Sequence, residues 1–203
     1  MDFPFDEKII LENDRVLLEP LQIGDTEKLL KIATSERTLL QYSPVEIHSK
    51  ELLERYIANW IKQREDKSRY PFIIYDKVNK AFAGSTSFMN ISNVNDRLEI
   101  GSTWIGKDFQ RTGLNRNCKY LLLEYLFDNL GLVRVEFLTD ERNMASRTAI
   151  EKIGGKYEGI IRKHVLMTDG WRRSSVSYSI LDDEWPEVKK AFSELLSQPV
   201  QDL

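Results

Sequence analysis

The run Arg97-Leu-Glu-Ile-Gly-Ser-Thr-Trp-Ile105, the loop Gly106-Lys-Asp-Phe-Gln-Arg-Thr-Gly113, a helical stretch from about Asn115 to Leu130, and Val133-Arg-Val-Glu-Phe-Leu-Thr139 decide the fold. The first run is rich in β-formers and the last alternates apolar with charged residues, so both read as strands. Gly131 closes the helix between them as its C-cap. A strand, helix and strand of these lengths make a parallel, right-handed crossover.

Upstream, Tyr70-Pro-Phe-Ile-Ile-Tyr75 and Ala81-Phe-Ala-Gly-Ser-Thr-Ser-Phe-Met89 are β-rich runs joined by Asp, Lys and Asn turns, which predicts an antiparallel meander ending in the strand at Arg97. Before it, Arg15-Val-Leu-Leu-Glu-Pro20 reads as the first strand. Gly24-Asp25 then opens a helical stretch with Leu29, Leu30, Ile32 and Ala33. A second helix starts at the N-cap Ser49 and carries Leu52, Leu53, Tyr56, Ile57, Trp60 and Ile61 at three-to-four spacing. Downstream, Asn143 caps a short helix ending at Gly154-Gly155. Strands over 157–167 and 171–181 meet at the turn Thr168-Asp-Gly170, and a last helix shows Trp185, Val188, Phe192, Leu195 and Leu196 on one face. The class is α+β: one domain over 1–203 with a mixed, mostly antiparallel sheet flanked by helices, and with 1–12 and 198–203 loosely ordered.

At 203 residues the chain is long enough for a single generous core, and 41% apolar with 30% charged residues is ordinary globular composition. With 29 basic against 32 acidic residues the net charge is -3, so direct nucleic-acid binding is not expected. No apolar run reaches the roughly 20 residues of a membrane span. Met1-Asp-Phe-Pro-Phe-Asp-Glu-Lys8 has acids where a signal peptide has a basic region, so a cytoplasmic protein with no membrane partner is expected. One cysteine, Cys118, excludes an internal disulfide, and two histidines without CxxC or HExxH spacing offer no metal site.

The chemistry points to Gln110-Arg-Thr-Gly-Leu-Asn-Arg116, between a strand and the first turn of a helix. Free backbone N–H groups and the positive end of the helix dipole face outward there, so the site suits an anion. Gly113 permits close backbone approach, and Arg111, Arg116 and Lys119 can add charge to phosphate oxygens. No GK[ST] follows and no GxGxxG is present, which excludes a P-loop and a dinucleotide fingerprint. A plain strand-to-helix turn remains the alternative reading of these residues.

The wider chain resembles the GNAT superfamily of acyl-CoA-dependent N-acyltransferases. Their phosphate loop reads Q/R-x-x-G-x-G/A between a fourth strand and the next helix, and Gln110, Arg111 and Gly113 fit it. Leu98–Ile105, Gly131–Glu136, Asn143-Met-Ala-Ser-Arg147, Glu151-Lys-Ile-Gly-Gly155 and the closing 176–186 also look similar. The branch is the one that includes ribosomal-protein N-terminal-alanine acetyltransferases. The resemblance implies a splayed pair formed by the fourth and fifth strands, acetyl-CoA as co-substrate without a metal, and transfer of its acetyl group to a primary amine by direct attack. The acceptor it implies is a protein N-terminal α-amine or a small amine, with a homodimer as the common state. It further implies cofactor binding by Trp104, Ile105, Gln110, Arg111, Thr112, Gly113, Leu114, Asn115, Arg116, Asn143 and Ser146, with Glu99 as base or water relay and Ser146 aiding thiolate departure. Two departures stand out: Asn115 replaces the final Gly or Ala of the loop, and Ile150 replaces the tyrosine that protonates the thiolate in many members. Each residue also has a plainer reading: Glu99 as an outward strand glutamate, Asn143 as an N-cap, Trp104 and Ile105 as core. Cys118, with no paired histidine, is not expected to be a nucleophile, and Tyr120 and Tyr178 read as core or wall. A non-catalytic CoA-binding or interaction protein of the same fold is the alternative function.

Overall fold

The structure is a computed structural model and describes residues 1–197. An eight-stranded sheet runs in the order β1-β2-β3-β4-β5-β6-β8-β7, with β1 Leu11–Glu12, β2 Val16–Pro20, β3 Arg69–Asp76, β4 Ala81–Ser92, β5 Arg97–Ile105, β6 Arg134–Asp140, β7 Lys156–Leu166 and β8 Arg172–Leu181. All neighbours are antiparallel except β5 and β6, which are parallel across the helix that runs from Leu114 to Glu124. The meander and the crossover are therefore as the pattern predicts. The short β1 adds one strand at the front, so the expected fourth and fifth strands are β5 and β6.

Helices α1 (Thr26–Thr34) and α2 (Lys50–Glu65) lie on one face of the sheet. There Leu29, Ala33, Leu53, Tyr56, Ile57 and Trp60 pack on Ile73 and Trp104. Ser49 caps α2, its Oγ accepting from the Leu52 N–H at 3.3 Å. The opposite face carries α3 (Leu114–Glu124), α4 (Met144–Lys152) and α5 (Trp185–Ser197). Leu114, Cys118, Leu122, Ile150 and Phe192 close the larger core there, over Leu98, Ile100, Val135, Phe137 and Val176. After Glu124 the helix widens into a π-turn over Tyr125–Asn129 and stops near Leu130, with Gly131 at φ +65°.

Residues 1–12 depart from the expected loose order. Phe3 is 3% exposed, in ring contact with Tyr70 and Phe88, and Ile9 is also buried. The Tyr70 hydroxyl accepts from the Ile9 N–H at 2.9 Å and donates to the Glu7 carbonyl at 2.7 Å, while the terminal ammonium pairs with Asp96. Two buried apolar side chains and a satisfied backbone outweigh the chain entropy that frays a terminus. The expectation for 198–203 lies outside the described residues. Phe3→Ala should cost about 3 kcal/mol of stability by urea titration. A loss under about 1 kcal/mol would show that the segment does not belong to the core.

Candidate active site

The site grows from one fork in the sheet. β5 and β6 share a ladder only where Arg97–Glu99 faces Arg134–Glu136. Beyond Glu99, β5 stays paired to β4 as far as Ile105 opposite Gly84, whereas β6 stays with β8 as far as Asp140 opposite Ser175. A bulge opens the angle: Ser102 sits at φ +49°, and the β4–β5 register shifts between Ser85 and Ser87. Gly84 lets the two backbones stay together past the bulge, because a Cβ there would lie 2.0 Å from the Trp104 carbonyl oxygen. The facing edges of β5 from Ile100 and of β6 from Phe137 are thus left without ladder partners across the gap. The expected splay is present.

At the far end of the gap, the loop turns into α3 through two left-handed residues, Arg111 at φ +61° and Gly113 at φ +80°. The Gln110 amide donates to the Ile105 carbonyl at 2.8 Å. Thr112 Oγ1 donates to the Phe109 carbonyl at 2.7 Å and accepts from Arg15 at 3.2 Å, and Arg15 is held in turn by Asp76 at 3.0 Å. The Gln110 and Thr112 side chains therefore shape the loop. Leu114 is wholly buried and anchors the helix start, Arg111 is exposed, and Arg116 lies half-buried in the first turn. Asn115 Oδ1 is buried with no hydrogen-bond partner among the described residues. The first N–H groups of an eleven-residue helix, two arginines and a glycine in the left-handed region fit a pyrophosphate.

Trp104 and Ile105 flank this loop with their side chains in the two cores, and Trp104 Nε1 donates to the Tyr56 hydroxyl at 3.1 Å. Their plain reading as core holds for the side chains, which leaves the main chain to face a ligand. Asn143 is the N-cap of α4, accepting from the Ser146 N–H at 3.1 Å, and Ser146 is half-buried on the first turn.

Glu99 stands where the fork begins, and it is not an outward strand glutamate: it is 4% exposed, on the face covered by α2. Burial pushes its carboxyl up to about 7, assisted by Glu136 and opposed by the Asn90 hydrogen bond and by Arg69 and Arg173. Asn90, at φ +53° in the irregular end of β4, donates to Glu99 Oε2 at 2.7 Å. Gly101 makes room for the carboxyl, since a Cβ there would lie 2.7 Å from Glu99 Oε1 and 2.6 Å from Met89 Sδ. Arg69 stacks on Trp60 at 4.0 Å and donates to Ser102 Oγ at 2.9 Å and to Gln63 Oε1 at 2.8 Å, fixing the bulge from below.

On the same face Arg173 donates to the Tyr42 carbonyl at 2.7 Å and to Ser175 Oγ at 3.1 Å. Arg142 clasps the buried Asp140 at 2.7 and 3.0 Å and lies near the rings of Tyr42 and Trp171. His164 Nδ1 lies 3.1 Å from the same Ser175 hydroxyl, so Arg173 and His164 are neighbours across the β7–β8 hairpin. None of Asn90, Arg69 and Arg173 was legible as a site residue, because each depends on a bulge or on a neighbour distant in sequence. Lys119 was placed with the phosphates by spacing, but it is buried and donates to Thr103 Oγ1 at 2.8 Å instead. Cys118 is fully buried and its thiol pushed up to about 12, as suits core rather than nucleophile. The Tyr178 hydroxyl is held between Glu151 at 2.8 Å and Arg147 at 3.2 Å, a wall residue. Among the described residues no cluster of three or more metal-ligating side chains occurs, and no helix is long and apolar enough to cross a membrane.

A fork with unpaired edges, an anion-binding helix start at one end and a buried carboxyl at the other are what an acyl-CoA transferase requires. Residues 15–156 match the acetyltransferase (GNAT) domain, so the chain belongs to the GNAT acetyltransferase family and is an acyl-CoA-dependent enzyme. It is 28% identical to the Bacillus subtilis protein named "Putative ribosomal N-acetyltransferase YdaF", over 85% of this chain and 94% of that one. A GCN5-related N-acetyltransferase from Brucella melitensis superposes with a TM-score of 0.87 at 29% identity, over 94% of this chain and 86% of that one. Mycobacterium smegmatis RimJ in complex with CoA-disulfide shares the fold, with a TM-score of 0.75 at 18% identity over 93% of each chain.

Because the folded carboxyl titrates above the ordinary 4.3 or so of a free glutamate, Glu99 contributes stability only while protonated. That contribution is complete below about pH 4.3 and is lost as the pH rises through about 7. Glu99→Gln should therefore melt higher than the parent at pH 8, by roughly 1 to 3 kcal/mol, and the difference should vanish near pH 4. An unchanged or lower melting temperature at pH 8 would mean that the carboxyl is not desolvated.

Proposed function

We propose that the enzyme moves the acetyl group of acetyl-CoA to a primary amine by direct attack, and that the acceptor is a protein N-terminal α-amine or a small amine of similar basicity. The observation that carries this is the buried Glu99 carboxyl at the fork, poised near 7. An attacking amine must first be neutral. An α-amino group, with a pKa of about 7.7 to 8, costs about 1 kcal/mol to deprotonate at pH 7, against about 4.6 kcal/mol for a lysine amine near 10.4. A base titrating about a unit below an α-ammonium accepts its proton with little driving-force penalty, while a lysine ammonium lies more than three units uphill.

In this mechanism Glu99 takes the proton of the amine, directly or through one water, and Asn90 and Gly101 hold the carboxylate in place. The unpaired main chain of β5 after Glu99 offers N–H groups to the carbonyl oxygen as negative charge develops there. The loop N–H groups, Arg111, Gly113 and Arg116 take the phosphates, while Asn143 and Ser146 at the start of α4 line the arm of the cofactor. Bound acetyl-CoA supplies the thioester that is cleaved. Arg142, Trp171 and Tyr42 frame the approach of the acceptor on the α2 face. This acetyl donor also places the work inside the cell.

Acetyl-CoA should be consumed, with release of free thiol, on peptides with a free N-terminus. Peptides with a blocked N-terminus and an internal lysine should react at least ten-fold more slowly. Equal rates on both would remove the α-amine reading. In Glu99→Gln, kcat/KM should fall by about 10² or more and lose its acidic limb, and an unchanged pH–rate profile would remove Glu99 from the chemistry. Gly113→Val, forced into a left-handed conformation, should raise KM for acetyl-CoA and leave KM for the amine alone. The reverse pattern would overturn the phosphate-loop assignment.

A further inference from the structure

The mechanism above uses Ser146 to line the cofactor arm, and a hydroxyl of high pKa is a reluctant proton donor to the sulfur that leaves. At the position where a tyrosine is usual stands Ile150, 7% exposed and packed in the larger core. One buried cation is unused. Lys119, from the middle of α3, is 7% exposed and reaches into the fork from the side opposite the α2 face. Its Nζ donates to Thr103 Oγ1 of β5 at 2.8 Å and stands 6.0 Å from the ring centre of Phe137 on β6. Both residues lie beyond the last ladder pair, Glu99 with Glu136, so the ammonium spans the gap between the parted strands. Thr103 is itself fixed by a 2.8 Å hydrogen bond with Thr86. Of the three N–H donors on Lys119 one is used, and among the described residues the other two have no hydrogen-bond partner and no carboxylate lies within ion-pair distance.

Such a charge is costly to bury uncompensated. Burial pulls its pKa down to about 8, with Cys118 and Glu99 the titratable groups that act on it. A cation in that position lacks a negative partner, and breaking the thioester bond generates one, a thiolate whose parent thiol ordinarily titrates near 8.5. The two groups are matched, so proton transfer between them is close to thermoneutral.

We propose that Lys119 is the proton donor to the departing thiolate, standing in for the absent tyrosine. The new C–N bond forms as the amine attacks. The C–S bond breaks with its electron pair on sulfur and the proton passes from Lys119 Nζ to that sulfur; of the two protons the ammonium loses, the first leaves through Glu99 to solvent before attack and the second passes to Glu99 after it. The products are the amide and the free thiol. Exchange with solvent then returns a proton to Lys119 and removes one from Glu99, which restores the enzyme. This rests on the reading that the acyl-CoA thioester lies in the fork.

The test needs no acceptor. CoA is titrated on the full-length protein and on Lys119→Met, following thiolate absorbance with pH, and binding and melting temperature are measured on both. With the ammonium beside the sulfur, the bound thiol of the parent should titrate about one unit or more below 8.5, and in Lys119→Met it should titrate at or above that value. Dissociation constants for CoA should stay within about three-fold at about pH 6, where the thiol is protonated in both proteins. Lys119→Gln serves as a second uncharged variant should the methionine variant misfold. In turnover with an amine, Lys119→Met should lose about 10² in kcat together with the basic limb near pH 8. Equal thiol titration in the parent and the uncharged variants overturns the proposal while leaving the transferase reading intact. Failure of the parent to bind CoA overturns both.

Discussion

A β-strand can satisfy its main chain toward two neighbours only while both keep its direction, and β5 cannot do so beyond Glu99. The bulge at Ser102 commits it to β4, and Gly84 keeps that pairing close enough to survive. β6 is committed to β8 over its whole length. The gap between them costs a run of ladder hydrogen bonds, and an unpaired edge inside a domain is costly unless something binds to it. The site follows from that break. α3 starts where β5 ends, so its N–H groups face the open end of the gap, and α4 starts where β6 ends.

The second physical theme is low dielectric. α2 and the bulge seal Glu99 from water on one face, and α3 carries Lys119 into the same gap from the other. Each is deprived of its solvent shell, and each moves toward neutrality: the acid up to about 7 and the ammonium down to about 8. Charged groups shifted in this way are suited to moving protons at the pH of the cell. Asn90 holds the acid by a hydrogen bond, while Arg69 and Arg173 act on it from beyond ion-pair distance, short of the pair that would lock it ionised. Cys118, one residue from Lys119, shows the contrast: its thiol is sealed in the apolar core and pushed out of the useful range.

Much of this was legible in particular residues. Ser49 and Asn143 announced helix starts and both cap them; the alternation at Val133–Thr139 announced a strand, and the helix before it required the parallel crossover. Gly113 was readable as a backbone position and has the positive φ that only glycine adopts freely. Other residues misled for definite reasons. Residues 1–12 look terminal and carry five charged side chains, yet Phe3 and Ile9 find a cleft that only the assembled β3 and β4 provide. Lys119 lies near Arg111 and Arg116 in sequence, but five residues from Leu114 along a helix is over one turn, which swings it from the phosphate end into the core.

Sequence by itself determined the periodicities, the caps and turns, the order of strands and helices, and the residue types from which the family resemblance follows. Those are set by interactions over a few residues, or by the rule that a crossover keeps one hand. Tertiary structure decided the burial of Glu99, the alignment of Asn90 beneath it, the fork angle at Ser102 and the position of Lys119. Those depend on how far water is excluded by segments dozens of residues apart, and desolvation is a property of the assembled fold that no local stretch of chain carries.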